Sequence, residues 1–291
     1  MKRGHVVAGF GALALSGCGA MRTAARYASG GCGAVTLAPV PHGIKLAVFT
    51  FTSANVAAPH KVSCAVVYPQ AVDPKTIERV AYVLPGRTGT ADDMMVSAGF
   101  SGTGYAGYFS QMAVDPKRPW MLVAMDAGES YFHARAHGEN RMALLTVEIP
   151  RMLARDFGVH PRREALIGVS MGGYGALLAA ETLPQRYCSV AVGGPAIFPS
   201  YADEASSVGD AFDGATDYTQ HDVIAGAQRL AHMPVLIRAG AKDPFVPGVH
   251  AFAARLPSAD VQIISGCHDD NFWRLSAPTL LAFTGKQLTS A

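Results

Sequence analysis

The sequence predicts an α/β domain, a mostly parallel central sheet with helices on both faces. Three observations carry this. Beyond residue 120, short apolar runs alternate with longer runs of helical period. The short runs have the length and apolar character of strands buried beneath helices. Residues 44–291 contain no stretch with the composition of a domain linker.

The elements follow in order. Residues 46–52 and 62–68 are rich in β-branched and aromatic side chains and read as strands. Residues 80–84 form a short apolar run closed by Pro85-Gly86, a buried strand ending in a sharp turn. Residues 120–125 are the next strand. Residues 140–154 place Met142, Leu145, Ile149 and Leu153 at helical spacing, and Pro150 should kink or split that helix. A strand over 165–169, a helix over 172–182 and a strand over 189–192 come next. Residues 195–220 are a long mixed segment suited to covering a cleft. A helix over 222–230, a strand over 235–238, a helix over 249–256, a strand over 261–264 and a helix over 272–283, despite Pro278, complete the alternation.

Composition excludes several functions. The 291 residues are 49% hydrophobic and 16% charged, too apolar for a disordered chain. Lys+Arg number 24 against 22 Asp+Glu, which lacks the basic excess of a dedicated nucleic-acid binder. No solenoid or propeller period is present.

The N-terminus points to export. Lys2 and Arg3 precede an uncharged, mainly apolar run over 6–15, too short to span a bilayer, which needs roughly 20 residues. Leu15-Ser16-Gly17-Cys18 follows and resembles a bacterial lipobox. The expected organisation is a signal peptide over 1–17, a lipidated N-terminus and linker over 18–43, and one domain over 44–291. Lipid on Cys18 would tether the chain to a membrane. Four other cysteines remain, Cys32, Cys64, Cys188 and Cys267. In an exported protein they make two disulfides plausible, with three connectivities open.

The chemistry centres on Gly168-Val169-Ser170-Met171-Gly172. The string is common by chance. Its context is not: a strand precedes it and an Ala- and Leu-rich helix follows, so Ser170 sits on a tight strand-to-helix turn. An acid and then a histidine should follow, each after a later strand. Asp243 lies after the strand at 235–238 and His268 after that at 261–264. The order Ser170, Asp243, His268 is that of the α/β-hydrolases. His268 would take the Ser170 proton, and Asp243 would orient the imidazole and stabilise its cation. Asp269 and Asp270 compete as acids but lie too close in sequence to His268 for the usual geometry. For an oxyanion hole, one backbone N–H should come from Met171. The other should come from the turn after residue 84. Pro85 has no N–H, so Arg87, or else Gly86, must supply it.

These residues resemble a known group. Ile167-Gly168-Val169-Ser170-Met171-Gly172-Gly173-Tyr174-Gly175-Ala176-Leu177, with Gly266-Cys267-His268-Asp269 running to Phe272-Trp273, is similar to the esterase family that holds esterase D (S-formylglutathione hydrolase), feruloyl esterases and the antigen 85 mycolyltransferases. The resemblance covers roughly residues 60–287. It implies an α/β-hydrolase fold, an ester substrate of small-molecule, lipid or carbohydrate kind, no metal and no organic cofactor. Many esterases of the group carry His-Gly after the third strand, and the mycolyltransferases carry Asp-Gly-Leu-Arg. This chain has Pro85-Gly86-Arg87-Thr88, without the acidic residue, which weighs against mycolyl transfer.

The expected activity is therefore that of an exported serine carboxylesterase working through an acyl-enzyme on Ser170. The rivals are an acyltransferase with a sugar or alcohol acceptor and a non-enzymatic surface binder on the same fold. Asp126, at the end of a strand, and Tyr131 are candidate substrate contacts. Trp273 reads as packing behind His268. His133 and His137 form an H-x-x-x-H pair, but spacing supplies no third metal ligand. Gly102-Thr103-Gly104-Tyr105-Ala106-Gly107 matches a dinucleotide string without the strand and helix it requires, and reads as a flexible loop.

Overall fold

The computed structural model describes residue 32, residues 36–96 and residues 102–290. The expected signal peptide and Cys18 lie outside the described residues. Among the described residues, eight strands form one sheet in the order β1-β2-β4-β3-β5-β6-β7-β8. They are β1 Ile44–Thr52, β2 Lys61–Pro69, β3 Arg79–Leu84, β4 Trp120–Met125, β5 Arg163–Val169, β6 Tyr187–Gly193, β7 Val235–Gly240 and β8 Asp260–Ile264. β1 pairs antiparallel with β2 and β2 with β4; every pairing from β4 to β8 is parallel. This is the α/β architecture expected.

Period-2 alternation divides the strand residues between two cores. Val66, Tyr82, Leu166, Val190 and Ile237 face one side, while Val67, Val83, Ile167, Ala191 and Leu236 face the other. The first face is covered by α3 (residues 141–157), α4 (Met171–Thr182) and α8 (Val246–Arg255). The second is covered by α1 (Ala91–Met95), α2 (Tyr105–Ser110) and α9 (Asp270–Thr289), with Phe109 edge-on to Trp120 at 4.8 Å. α5 (Tyr201–Ser207), α6 (Ala215–His221) and α7 (Val223–Gly226) make up most of the mixed segment before β7.

Four readings are corrected. Pro150 does not end its helix, whose turns run on from Arg141 to Phe157. Instead, π-helical turns at Leu144–Glu148 and Leu153–Phe157 flank it. The Thr146 carbonyl, which the proline cannot serve, accepts from Arg186 Nη1 at 2.6 Å. The glycine string at 102–107 is not a flexible loop: it opens α2, whose Gly107 lies against the Pro39 carbonyl, where a Cβ would come within 1.8 Å. The described end of the expected linker, residues 36–43, is fastened to the domain. Thr36 N donates to Asn271 Oδ1 at 2.6 Å, and Arg274 Nε donates to the Thr36 carbonyl at 2.7 Å. Finally, one disulfide forms among the described cysteines, Cys32–Cys267, and Cys64 and Cys188 are free. Cys64 points into the first core and Cys188 packs against the second, so the sheet separates them.

Candidate active site

Parallel strands bring their C-terminal ends to one edge of the sheet. Gly86 follows β3, Ser170 follows β5, Asp243 follows β7 and His268 follows β8.

Ser170 has φ 52° and ψ −124°, a strained conformation for a residue with a Cβ. Crowding enforces it. A Cβ on Gly168 would lie 2.2 Å from the Gly172 carbonyl oxygen, and one on Gly172 would lie 2.1 Å from that of Leu84. Only glycine lets strand, turn and helix approach so closely. Ser170 N donates to the Gly193 carbonyl at 3.2 Å, and the Ser170 carbonyl accepts from Tyr174 N and Ala196 N at 3.1 and 3.0 Å. Behind it, α4 is buried along nearly all its length.

The side chain then meets the other two residues. Ser170 Oγ lies 2.8 Å from His268 Nε2, and His268 Nδ1 lies 2.8 Å from Asp243 Oδ2. Asp243 is buried, and its Oδ1 accepts from Phe245 N at 2.8 Å. The His268 ring packs against Phe245 at 4.9 Å and meets Trp273 edge-on at 5.4 Å, as expected for Trp273. Asp269 and Asp270 are engaged elsewhere. Asp269 Oδ1 caps α9 through Phe272 N at 2.9 Å, and Asp270 Oδ2 accepts from Gly102 N at 3.2 Å. Such a chain of hydroxyl, imidazole and carboxylate can move a proton off the serine as it attacks a carbonyl carbon.

The turn after β3 approaches the serine closely: a Cβ on Gly86 would lie 3.3 Å from Ser170 Cβ. Thr88 N donates to the Gly128 carbonyl and Gly89 N to that of Gly86, both at 2.9 Å. Gly86 and Arg87 are left as the turn's donors not engaged within it. Met171 N–H heads α4, at the positive end of its dipole.

The two candidate substrate contacts are corrected. Asp126 Oδ2 accepts from Ser63 N at 2.8 Å and its Oδ1 from Ala91 N at 3.0 Å. Its carboxylate ties β2 to the start of α1. Tyr131 is 2% exposed, packed 5.6 Å from both Tyr174 and Phe198, and burial pushes its phenol well above the ordinary range. Little of it faces a substrate.

Charged residues that spacing did not reveal join two segments beside the turn. The Arg87 guanidinium donates to Glu129 at 2.9 Å and to Asp210 at 2.7 Å. Arg135 Nε pairs with Asp213 at 3.1 Å, and Ala136 N donates to Asp213 at 2.6 Å. That backbone bond, helped by Arg135, holds the Asp213 carboxyl below its usual range. Segments 126–140 and 201–221 are thereby clasped. Their partners stand 42 to 123 residues apart, beyond any local pattern.

Residues 57–256 match the model of the Esterase family, described as "Putative esterase". The chain belongs to this family. An S-formylglutathione hydrolase of Paracoccus denitrificans (strain Pd 1222) is 33% identical over 105 residues, which are 35% of this chain and 38% of that protein. The match therefore spans about two fifths of that relative. Among solved structures, a ferulic acid esterase superposes with a TM-score of 0.68 at 15% identity, over 84% of this chain and all (100%) of that one. An S-formylglutathione hydrolase from Agrobacterium tumefaciens gives 0.67 at 17% identity, over 87% and 99%. At such identities the superpositions establish the α/β-hydrolase fold of this esterase-family chain.

Proposed function

We propose that the chain is an exported serine carboxylesterase, tethered to a membrane by lipid on Cys18. The carrying observation is the continuous relay from Ser170 Oγ through His268 to buried Asp243, each step 2.8 Å. Ser170 Oγ attacks the ester carbonyl carbon while its proton passes to His268 Nε2. The oxyanion is met by the N–H groups of Met171 and of Arg87 or Gly86. The alcohol leaves with the proton from His268, and an acyl-enzyme remains. His268 then deprotonates water, which releases the acid and restores Ser170. The lipobox and the short apolar run before it support export and the tether.

The test is twofold. A fluorophosphonate should label the wild type, and Ser170→Ala should lose both the label and hydrolysis of p-nitrophenyl esters screened from acetyl to palmitoyl. A folded Ser170→Ala protein with more than about a tenth of wild-type turnover would defeat the mechanism. Mass spectrometry of membrane-extracted protein should find an acylated peptide beginning at Cys18; a mature chain that starts elsewhere and is wholly soluble would remove the tether.

A further inference from the structure

The sequence pairs His133 with His137, but the fold separates them. His137 is exposed, while His133 turns inward to meet Asp217 and His221 of α6. We infer that His133, Asp217 and His221 bind one divalent cation of the zinc class, as a clamp on the wall beside the candidate active site.

The donor set comes first. One ligand atom from each residue lies within 4.8 Å of the others. An ion about 2.0–2.2 Å from each donor needs them roughly 3–4 Å apart, so a small closure suffices. Two imidazole nitrogens and one carboxylate oxygen suit zinc and its neighbours, whereas calcium and magnesium prefer all-oxygen sites.

Preorganisation is the second argument. His133 is 2% exposed, its ring stacked between Phe212 at 5.1 Å and His221 at 4.3 Å. It cannot swing away without unpacking that stack. Asp217 and His221 stand four residues apart on one helix face. Asp217 Oδ2 lies 3.0 Å from His133 Nε2, and its Oδ1 lies 3.0 Å from His221 Nδ1. Asp213 N donates to Asp217 Oδ2 at 2.8 Å, the kind of outer hydrogen bond that orients a ligating carboxylate.

The third argument is access. His221 is partly exposed and opens a route for the ion and for a water as fourth ligand.

Such an ion would join the 126–140 segment to α6, adding to the Arg87 and Arg135 ion pairs. This role does not rest on the esterase reading. Chelator-treated, desalted full chain should take up one equivalent of zinc in isothermal titration, at micromolar Kd or tighter. Saturating zinc should raise Tm on the order of 5 °C. Asp217→Asn and His221→Gln should each weaken binding at least about 10-fold. His137→Gln should change nothing, and His268→Ala, which removes the triad imidazole as a competing donor, should keep the equivalent. Cobalt(II) should give visible ligand-field bands that His221→Gln abolishes. His221 is partly exposed, so that variant decides the matter if others misfold. No uptake of zinc, uptake untouched by His221→Gln, or loss through His137→Gln or His268→Ala would overturn the site.

Discussion

The serine and the histidine of the candidate active site are held in opposite ways. Ser170 leaves an interior strand flanked by β3 and β6, and its turn is locked by backbone crowding at Gly168 and Gly172. His268 leaves the edge strand β8, which has one neighbour. Its loop is fastened from outside, by Asp243, by Trp273 and by a disulfide from Cys267 to Cys32, 235 residues away. An interior turn is stabilised by packing already present. An edge loop needs ties brought from elsewhere in the chain.

The largest effect should come from cutting the tie that bears directly on the imidazole. Asp243→Asn leaves shape and burial nearly unchanged but removes the charge facing His268 Nδ1. By analogy with other triads, kcat should fall about 10³–10⁴-fold. Asp269→Asn keeps the capping oxygen and gives up only a charge at the start of α9, so kcat and stability should both stay close to wild type. Steady-state kinetics on both variants decides it: a larger loss at Asp269 than at Asp243 would mean the wrong acid is named.

Breaking the interior side requires an atom where none fits. Gly172→Ala puts a Cβ 2.1 Å from a backbone oxygen, which no side-chain rotation relieves. Destabilisation of about 3 kcal/mol or more is expected in urea unfolding. Gly138→Ala is the matched control. Gly138 has φ +95° but open space around it, so strain alone remains, about 1 kcal/mol. Equal losses in the two variants would show that crowding does not hold the elbow.

The same contrast explains what the sequence reveals. Ser170, Asp243 and His268 are legible because each follows a strand, and parallel strands end at one edge. Strand centres are legible because both faces are covered, leaving uninterrupted apolar runs. The fastenings are not. Nothing local marks Cys32 as the partner of Cys267, and nothing separates Cys64 from Cys188 until the sheet does. Asp126 looks like a site residue because it ends β4 at the ligand-binding edge, yet two backbone N–H groups occupy it. Pro150 reads as a breaker because Arg186, which serves the freed Thr146 carbonyl, is 40 residues away.

The edge loop can be loosened without touching the triad. Cys32→Ser removes the disulfide and leaves His268, Asp243 and Ser170 intact. A slightly displaced base should lower kcat about 10-fold, with KM changed less, and unfolding stability should fall by about 2–4 kcal/mol. Reductant should do the same to the wild type and nothing further to the variant. Cys188→Ser, which removes a thiol outside the disulfide, should leave kcat alone. A Cys32→Ser enzyme with wild-type kcat would mean that Asp243 and the aromatic neighbours suffice.

The smallest effect on turnover tests whether the interior side carries a cost of its own. Glu181 lies in α4, and burial pushes its carboxyl up to about 9, with Arg229 pulling it down and Asp222 adding slightly to the rise. Its Oε1 has no hydrogen-bond partner, and its other oxygen presses on Gly226. The unfolded chain releases this proton near the ordinary value of 4.5, whereas the folded protein keeps it until about 9. Between those values the folded state holds the extra proton, so stability falls as pH rises. Glu181→Gln keeps the shape and cannot ionise. Urea unfolding should find it within about 1 kcal/mol of wild type at pH 5, where little of the penalty has accrued. At pH 8 it should be the more stable protein, by roughly 3–5 kcal/mol. A difference that does not grow with pH would mean that Glu181 is ionised in the folded state, its charge met by Arg229, and that the packing around the elbow carries no such penalty.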